Sequence, residues 1–262
     1  MSSLAAAQFA PDSSLVDEVA PSPNHGERRG VSGPDALLLH YTGMPDAQIA
    51  LQRLCQQDSE VSAHYVVFED GRVVQCVPEA RRAWHAGEST WAGADDINSR
   101  SIGIEITNPG HQWGYADFPA PQIAAVTALC RDVLARRAIP AHRVLAHSDV
   151  APARKQDPGE KFPWARLAAA GVGHWVEPEP IAPGKTLAPG DAGPDVRELQ
   201  SGLARYGYGL DVSGTYDDAT KHVVTAFQRH FRPAQVDGVA DASTVKTLAK
   251  LLGALPRSDA GA

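Results

Sequence analysis

The sequence predicts an α/β fold, a mixed central sheet flanked by helices, joined to a second small domain of three helices. Three observations predict it. Short β-rich runs alternate with segments of helical spacing up to residue 176, the pattern of strands and helices that share one core. Three prolines, Pro178, Pro180 and Pro183, then interrupt the chain and exclude a helix there. Beyond them, residues 185–255 show only helical spacing with glycine-rich turns.

These signals divide the chain into a flexible tail (1–20), a catalytic-sized domain (21–176), a proline-rich linker (177–184) and a helical domain (185–255). Residues 256–262 read as a second loose end. The net charge of −7 gives no general attraction to nucleic acid. No apolar run reaches the length of a membrane span. The first ten residues lack the basic and apolar regions of a signal peptide. Cys55, Cys76 and Cys130 are odd in number and widely spaced, which reads as free thiols rather than a disulfide framework.

Each element has its own signal. Residues 36–42 are an apolar run that suits a buried strand ending near His40. Residues 45–57 have helical spacing, with Ile49, Leu51, Leu54 and Cys55 as the apolar positions. Two β-rich runs, 63–68 and 72–77, flank Asp70-Gly71, a hairpin signal. In residues 101–107 the alternation puts Ile102, Ile104 and Ile106 on one face and Gly103 and Glu105 on the other. Residues 121–137 form an amphipathic helix with Ile123, Val126, Leu129, Cys130, Val133 and Leu134 inward. Residues 144–147 are a short strand, followed by a long irregular loop to residue 163.

In the small domain the apolar runs are Val196, Leu199, Leu203 and Tyr206, then Val223, Val224, Phe227 and Phe231, then Val245, Leu248, Leu251 and Leu252. Residues 212–220 echo residues 236–244. Each copy sets a glycine turn before an Asp/Thr-led helix start, which is capping chemistry.

The chemistry centres on His40 and His147, both at strand ends, and on Asp157, ten residues beyond His147. Two histidines and a carboxylate form a catalytic zinc set that leaves a fourth position open. With 10 histidines in the chain, the trio draws its meaning from the motifs around it. Leu39-His40-Tyr41-Thr42, Ser62-Ala63-His64-Tyr65, Trp84-His85-Ala86-Gly87, Asn98 to Glu105, Ala146-His147-Ser148-Asp149 and Arg154 to Gly159 occur in this order.

This set resembles the zinc-dependent N-acetylmuramoyl-L-alanine amidases of the type-2 amidase family, over about residues 20–170. The family shares its fold with peptidoglycan recognition proteins. The resemblance implies a Zn2+ cofactor held by His40, His147 and Asp157. It also implies that Glu105 is the acid/base residue and Lys155 stabilises the oxyanion. It implies hydrolysis of the amide between N-acetylmuramic acid, or its anhydro form, and L-alanine. His64, Trp84, His85 and Asn98 are candidates for holding glycan or peptide, against a purely structural role for Trp84 and His64. Residues 186–252 resemble the peptidoglycan-binding type-1 domain through Gly190 to Gly193, Val196 to Gln200, Gly214 to Asp217, Thr220, Ala226 to Arg229 and Asp237-Gly238.

Two other readings compete. One is a non-catalytic peptidoglycan sensor on the same fold. The other is a cysteine peptidase, although no cysteine lies in a Cys/His motif. The binding module favours intact murein and the cell envelope, reached if a leader precedes this sequence. The lack of a leader signal favours the cytoplasm and soluble anhydro-muropeptides.

Overall fold

The computed structural model describes residues 8–256. Eight strands and eight α-helices organise them. The strands are β1 (Glu18–Val19), β2 (His25–Gly26), β3 (Ala36–Tyr41), β4 (Tyr65–Val67), β5 (Val73–Gln75), β6 (Arg82–Ala83), β7 (Ser101–Ile106) and β8 (Val144–Ala146). The helices are α1 (Ala47–Cys55), α2 (Ile97–Arg100), α3 (Ala120–Arg137), α4 (His147–Val150), α5 (Trp164–Ala169), α6 (Pro194–Tyr206), α7 (Asp218–Phe231) and α8 (Ala242–Gly253).

The main sheet has the order β1-β5-β4-β7-β3-β8, mixed as expected; β2 and β6 form a separate pair. Its centre is β3 beside β7, parallel from Ala36↔Ser101 to Tyr41↔Ile106. The β3 strand is apolar toward both layers until His40, while β7 puts its isoleucines on one face and Ser101, Gly103 and Glu105 on the other. On one face Leu37, Leu39, Ile102, Ile104 and Ile106 pack under Ile123, Val126, Leu129, Cys130 and Val133 of α3. Each such side chain contributes about 1.5–3 kcal/mol on burial. On the other face Val66 and Val74 pack under Leu51 and Leu54 of α1. That helix starts on Asp46, whose side chain accepts the Ile49 amide. Ile49 itself points outward at 53% exposure, contrary to its expected inward place, because the stripe that meets the sheet runs through Ala50, Leu51 and Leu54.

The expected tail is corrected for residues 8–20. Asp12 accepts hydrogen bonds from Gln75 Nε2 and the Glu79 amide, Ser13 is buried, and β1 extends the sheet beside β5. A polar segment without periodicity is ordered here by pairing with a sheet edge. Residues 1–7 and 257–262 lie outside the described residues.

The small domain has its three helices, and the sequence echo is a structural one. Gln200 accepts the Gly214 amide and donates to Thr220, while Gln228 accepts the Gly238 amide and donates to Thr244. Asp217 and Asp241 cap α7 and α8 on the amides of Thr220 and Thr244. Val245 was expected in this core but is 39% exposed, facing a groove of about 500 Å3 beside α6 and α8. The segment 177–184 lies along α8, with the Glu179 amide donating to Thr247. The two domains share one apolar cluster: Leu38, Trp91, Leu145 and Val150 pack with Leu203, Tyr208 and Phe231 among others.

Candidate metal centre

Three parallel strands end at the same edge, where ligand sites form in open α/β sheets. His40 is the fifth residue of β3 and pairs with Glu105 of β7. Leu39 pairs with Ala146 of β8, so His147 follows directly at the first position of α4. Asp157 arrives from the loop, held by the Ser148 amide donating to its carbonyl at 3.0 Å. The Nδ1 atoms of His40 and His147 stand 2.8 Å apart, and Asp157 Oδ2 lies 3.1 and 2.9 Å from them. All three residues are buried.

The surrounding hydrogen bonds assign the tautomers. The Ser101 hydroxyl donates to the Ile97 carbonyl at 2.6 Å, so it accepts from His85 Nε2 at 3.3 Å. His85 Nδ1 is then an acceptor and takes the Nε2–H of His40 at 3.0 Å. His147 donates its Nε2–H to the Ala86 carbonyl at 3.0 Å. Both Nδ1 atoms are left as lone pairs facing the Asp157 carboxylate. Three such acceptors repel one another unless a cation lies among them. Two neutral imidazoles and a carboxylate suit zinc, with one position open toward the groove. Burial, and then His147, push the His40 imidazole down to about 4, which favours its neutral form.

A groove of about 650 Å3 opens over the centre. Glu105 and Lys155 both line it, with Tyr41, Trp84 and Trp113. Glu105 Oε2 is buried without a hydrogen-bond partner among the described residues. Burial, and then the Asp157 charge, raise its carboxyl well above the usual range, against the pull of Lys155. Lys155 forms no ion pair among the described residues. One wall is aromatic: Tyr41 hydrogen-bonds His111 at 2.9 Å, and Tyr115 stacks on His111. His111 and Tyr115 escaped the sequence reading; the aromatic Trp113-Gly114-Tyr115 run was the available signal.

Of the four candidates for holding substrate, Trp84 is half-buried in the groove wall. His64 and Asn98 require correction. His64 is fully buried, accepting the Gly103 amide at 2.9 Å and donating to the Arg81 carbonyl at 3.0 Å. Burial, and then Arg28, hold it down at about 3, so it stays neutral. Asn98 uses its side-chain oxygen on the amides of His85 and Ala86. His85 touches the groove, yet both its ring nitrogens are spent on His40 and Ser101. It orients the ring of His40 from the edge of the groove. None of the three cysteines lines the groove, and burial raises the Cys130 thiol to about 12.

Residues 30–160 match the N-acetylmuramoyl-L-alanine amidase family, and residues 192–248 match a peptidoglycan binding domain. The chain is 39% identical to the N-acetylmuramoyl-L-alanine amidase AmiD of Escherichia coli over 227 residues, covering 79% of this chain and 78% of that one. The chain belongs to the N-acetylmuramoyl-L-alanine amidase family. Its reaction is hydrolysis of the amide between N-acetylmuramic acid and L-alanine. The amidase fold is shared with the solved complex of E. coli AmiD with anhydro-N-acetylmuramic acid-L-Ala-D-gamma-Glu-L-Lys, at TM-score 0.72 and 36% identity over 87% of this chain and 96% of that chain. It is also shared with AmpDh3 of Pseudomonas aeruginosa, at TM-score 0.70 and 30% identity over 85% and 94%.

Proposed function

We propose that this amidase is a zinc enzyme in which His40, His147 and Asp157 hold the ion, Glu105 moves the proton and Lys155 stabilises the oxyanion. The observation that carries the reading is the convergence of three lone pairs, with both imidazole tautomers assigned by their outer hydrogen bonds, beside an unpartnered carboxyl. Bound zinc supplies a Lewis acid that brings the pKa of water toward ~7. The lactyl carbonyl of the muramoyl group sits over the centre, with the peptide along the groove. Glu105 accepts the proton of the attacking water at its free carboxyl oxygen and delivers it to the departing L-alanine nitrogen as the amide C–N bond breaks. Its carboxyl, raised well above the usual range by burial, suits that second task. The Lys155 ammonium faces the negative charge that builds on the carbonyl oxygen, a stabilisation of about 3–4 kcal/mol in comparable sites.

A groove of about 650 Å3 accommodates a muramoyl residue with part of its stem peptide. The solved complexes of AmiD and AmpDh3 contain anhydro-muropeptides, which supports the same substrate class here. We take intact murein as a substrate too, and the cell envelope as the location, since a module for the polymer is useful where the polymer lies. Digests of sacculi and of soluble anhydro-muropeptide, with mass analysis, test both substrates. Chelation should abolish peptide release from each and zinc should restore it. Full activity in both His147→Ala and Asp157→Ala would sink the metal assignment.

A further inference from the structure

We infer that the C-terminal module is a working part of the metal centre, in which Tyr208 and His230 are positioning residues acting on His147 through Asp149. The inference rests on the metal reading above.

Asp149 is 1% exposed, yet its carboxylate is fully engaged. Oδ2 accepts the Ala146 amide at 2.8 Å and His230 Nδ1 at 2.7 Å, and Oδ1 accepts the Tyr208 hydroxyl at 2.7 Å. The Ala146 amide is the donor just before α4, and His147 is the first residue of that helix. A helix of four residues cannot hold its own first turn. The direction of the Asp149 carboxylate therefore sets the backbone from which the His147 ring projects. That direction is imposed from the other domain. The His230 ring is clamped between Trp164 and Phe231, with centroids 3.7 and 3.8 Å away. Tyr208 is itself buried against Trp91.

The same helix grips the far end of the ligand segment. Arg229, next to His230, donates to Gln156 Oε1 at 3.3 Å and approaches Glu160 at 3.8 Å. Residues 147–157, which carry His147, Lys155 and Asp157, are thus held at both ends by α7. A module tethered only for murein binding would need none of these contacts. Without the Tyr208 and His230 donors, Asp149 is a buried carboxylate with one amide partner, and it must turn toward water or rearrange.

The test uses Tyr208→Phe and His230→Phe in the full chain, since each keeps an aromatic ring at its position and deletes the donor. Zinc affinity is measured by competition with a chromophoric chelator, alongside the visible spectrum of the Co(II)-substituted protein and the thermal midpoint. Each variant should bind zinc about 10-fold more weakly, the lower end of what losing an outer-shell partner costs. The cobalt bands should shift, and kcat should fall with KM for anhydro-muropeptide unchanged. Phe227→Leu, in the core of the same module, should lower the midpoint and leave zinc affinity within about twofold, because Phe227 gives no hydrogen bond to Asp149. Should His230→Phe fail to fold, Tyr208→Phe alone decides. Zinc affinity and cobalt bands unchanged in a folded Tyr208→Phe would overturn the inference, with the metal reading intact. Wild-type protein that takes up neither ion would overturn both.

Discussion

The smallest decisive unit is a residue with no side chain. A Cβ at Gly103 would lie 2.5 Å from the His85 ring, so only glycine leaves room for that imidazole. His85 in turn takes the outer nitrogen of His40, and Ser101 orients His85. Gly103→Ala is expected to displace His85 and release the His40 tautomer. Ser101→Ala removes the same orientation with no steric change. Both should weaken zinc by at least about 10-fold in a chelator competition while leaving the chain folded. Wild-type affinity in Ser101→Ala would show that the His85 relay does not control the ligand. The alternation of Ile102, Ile104 and Ile106 made Gly103 and Glu105 legible as a shared face. It carried no sign that His85, from another segment, fills the space above Gly103.

At the scale of elements, the end of α3 is fastened to the sheet by one buried carboxylate. Glu79 is unexposed and accepts from Arg136, Arg137 and the Tyr65 hydroxyl. Burial alone would raise its pKa, but these donors outweigh it and hold the carboxyl at about 2, below its ordinary 4.5. The folded pKa is the lower one, so the stabilisation is present above pH 4.5 and is lost as pH falls toward 2. Its full size is about 3 kcal/mol. Urea unfolding at pH 5 and pH 3 should show a loss for the wild type that is smaller in Glu79→Gln, and equal losses would rule the account out. The repeated Gln clamps make a second prediction. Gln228→Ala strands the buried Gly238 amide and takes one of two donors from the Val239 carbonyl, and should cost about 2–3 kcal/mol. Asp241→Ala removes the cap of α8, the helix after that turn, and should cost only about 1 kcal/mol. Denaturant midpoints order the two. The caps were readable from the echo of 212–220 in 236–244, because a cap and its amide are three residues apart. The glutamines lie 14 and 10 residues from the turns they clamp, and the echo did not include them.

For the whole molecule, the shared apolar cluster makes the two sequence units one folding unit. Leu38 and Leu145 of the sheet reach Tyr208 and Phe231 of the module through Trp91 and Val150. Calorimetry should therefore show a single cooperative transition, with equal calorimetric and van't Hoff enthalpies. Two resolved transitions would mean that the domains unfold independently. The proline-rich segment at 177–184 divides the sequence by composition, whereas one apolar cluster joins the residues on both sides of it. It lies along α8 while Tyr208 and His230 of the module bond Asp149, two residues beyond His147.

Legible in the sequence were the α/β class, the three-helix module, the strand end that carries His40, the strand just before His147, and the face that carries Glu105. Those are local matters, written in the spacing of apolar residues and in caps a few positions apart. Only the tertiary structure decided which nitrogen of each histidine faces inward, that His64 and Asn98 belong to the framework, and that Asp149 is satisfied from the other domain. Its partners there lie 59 and 81 residues away. The physical reason is the cost of a buried polar group without a partner. That cost is settled by whatever donor the completed fold brings within about 3 Å, and no local pattern records the donor's identity.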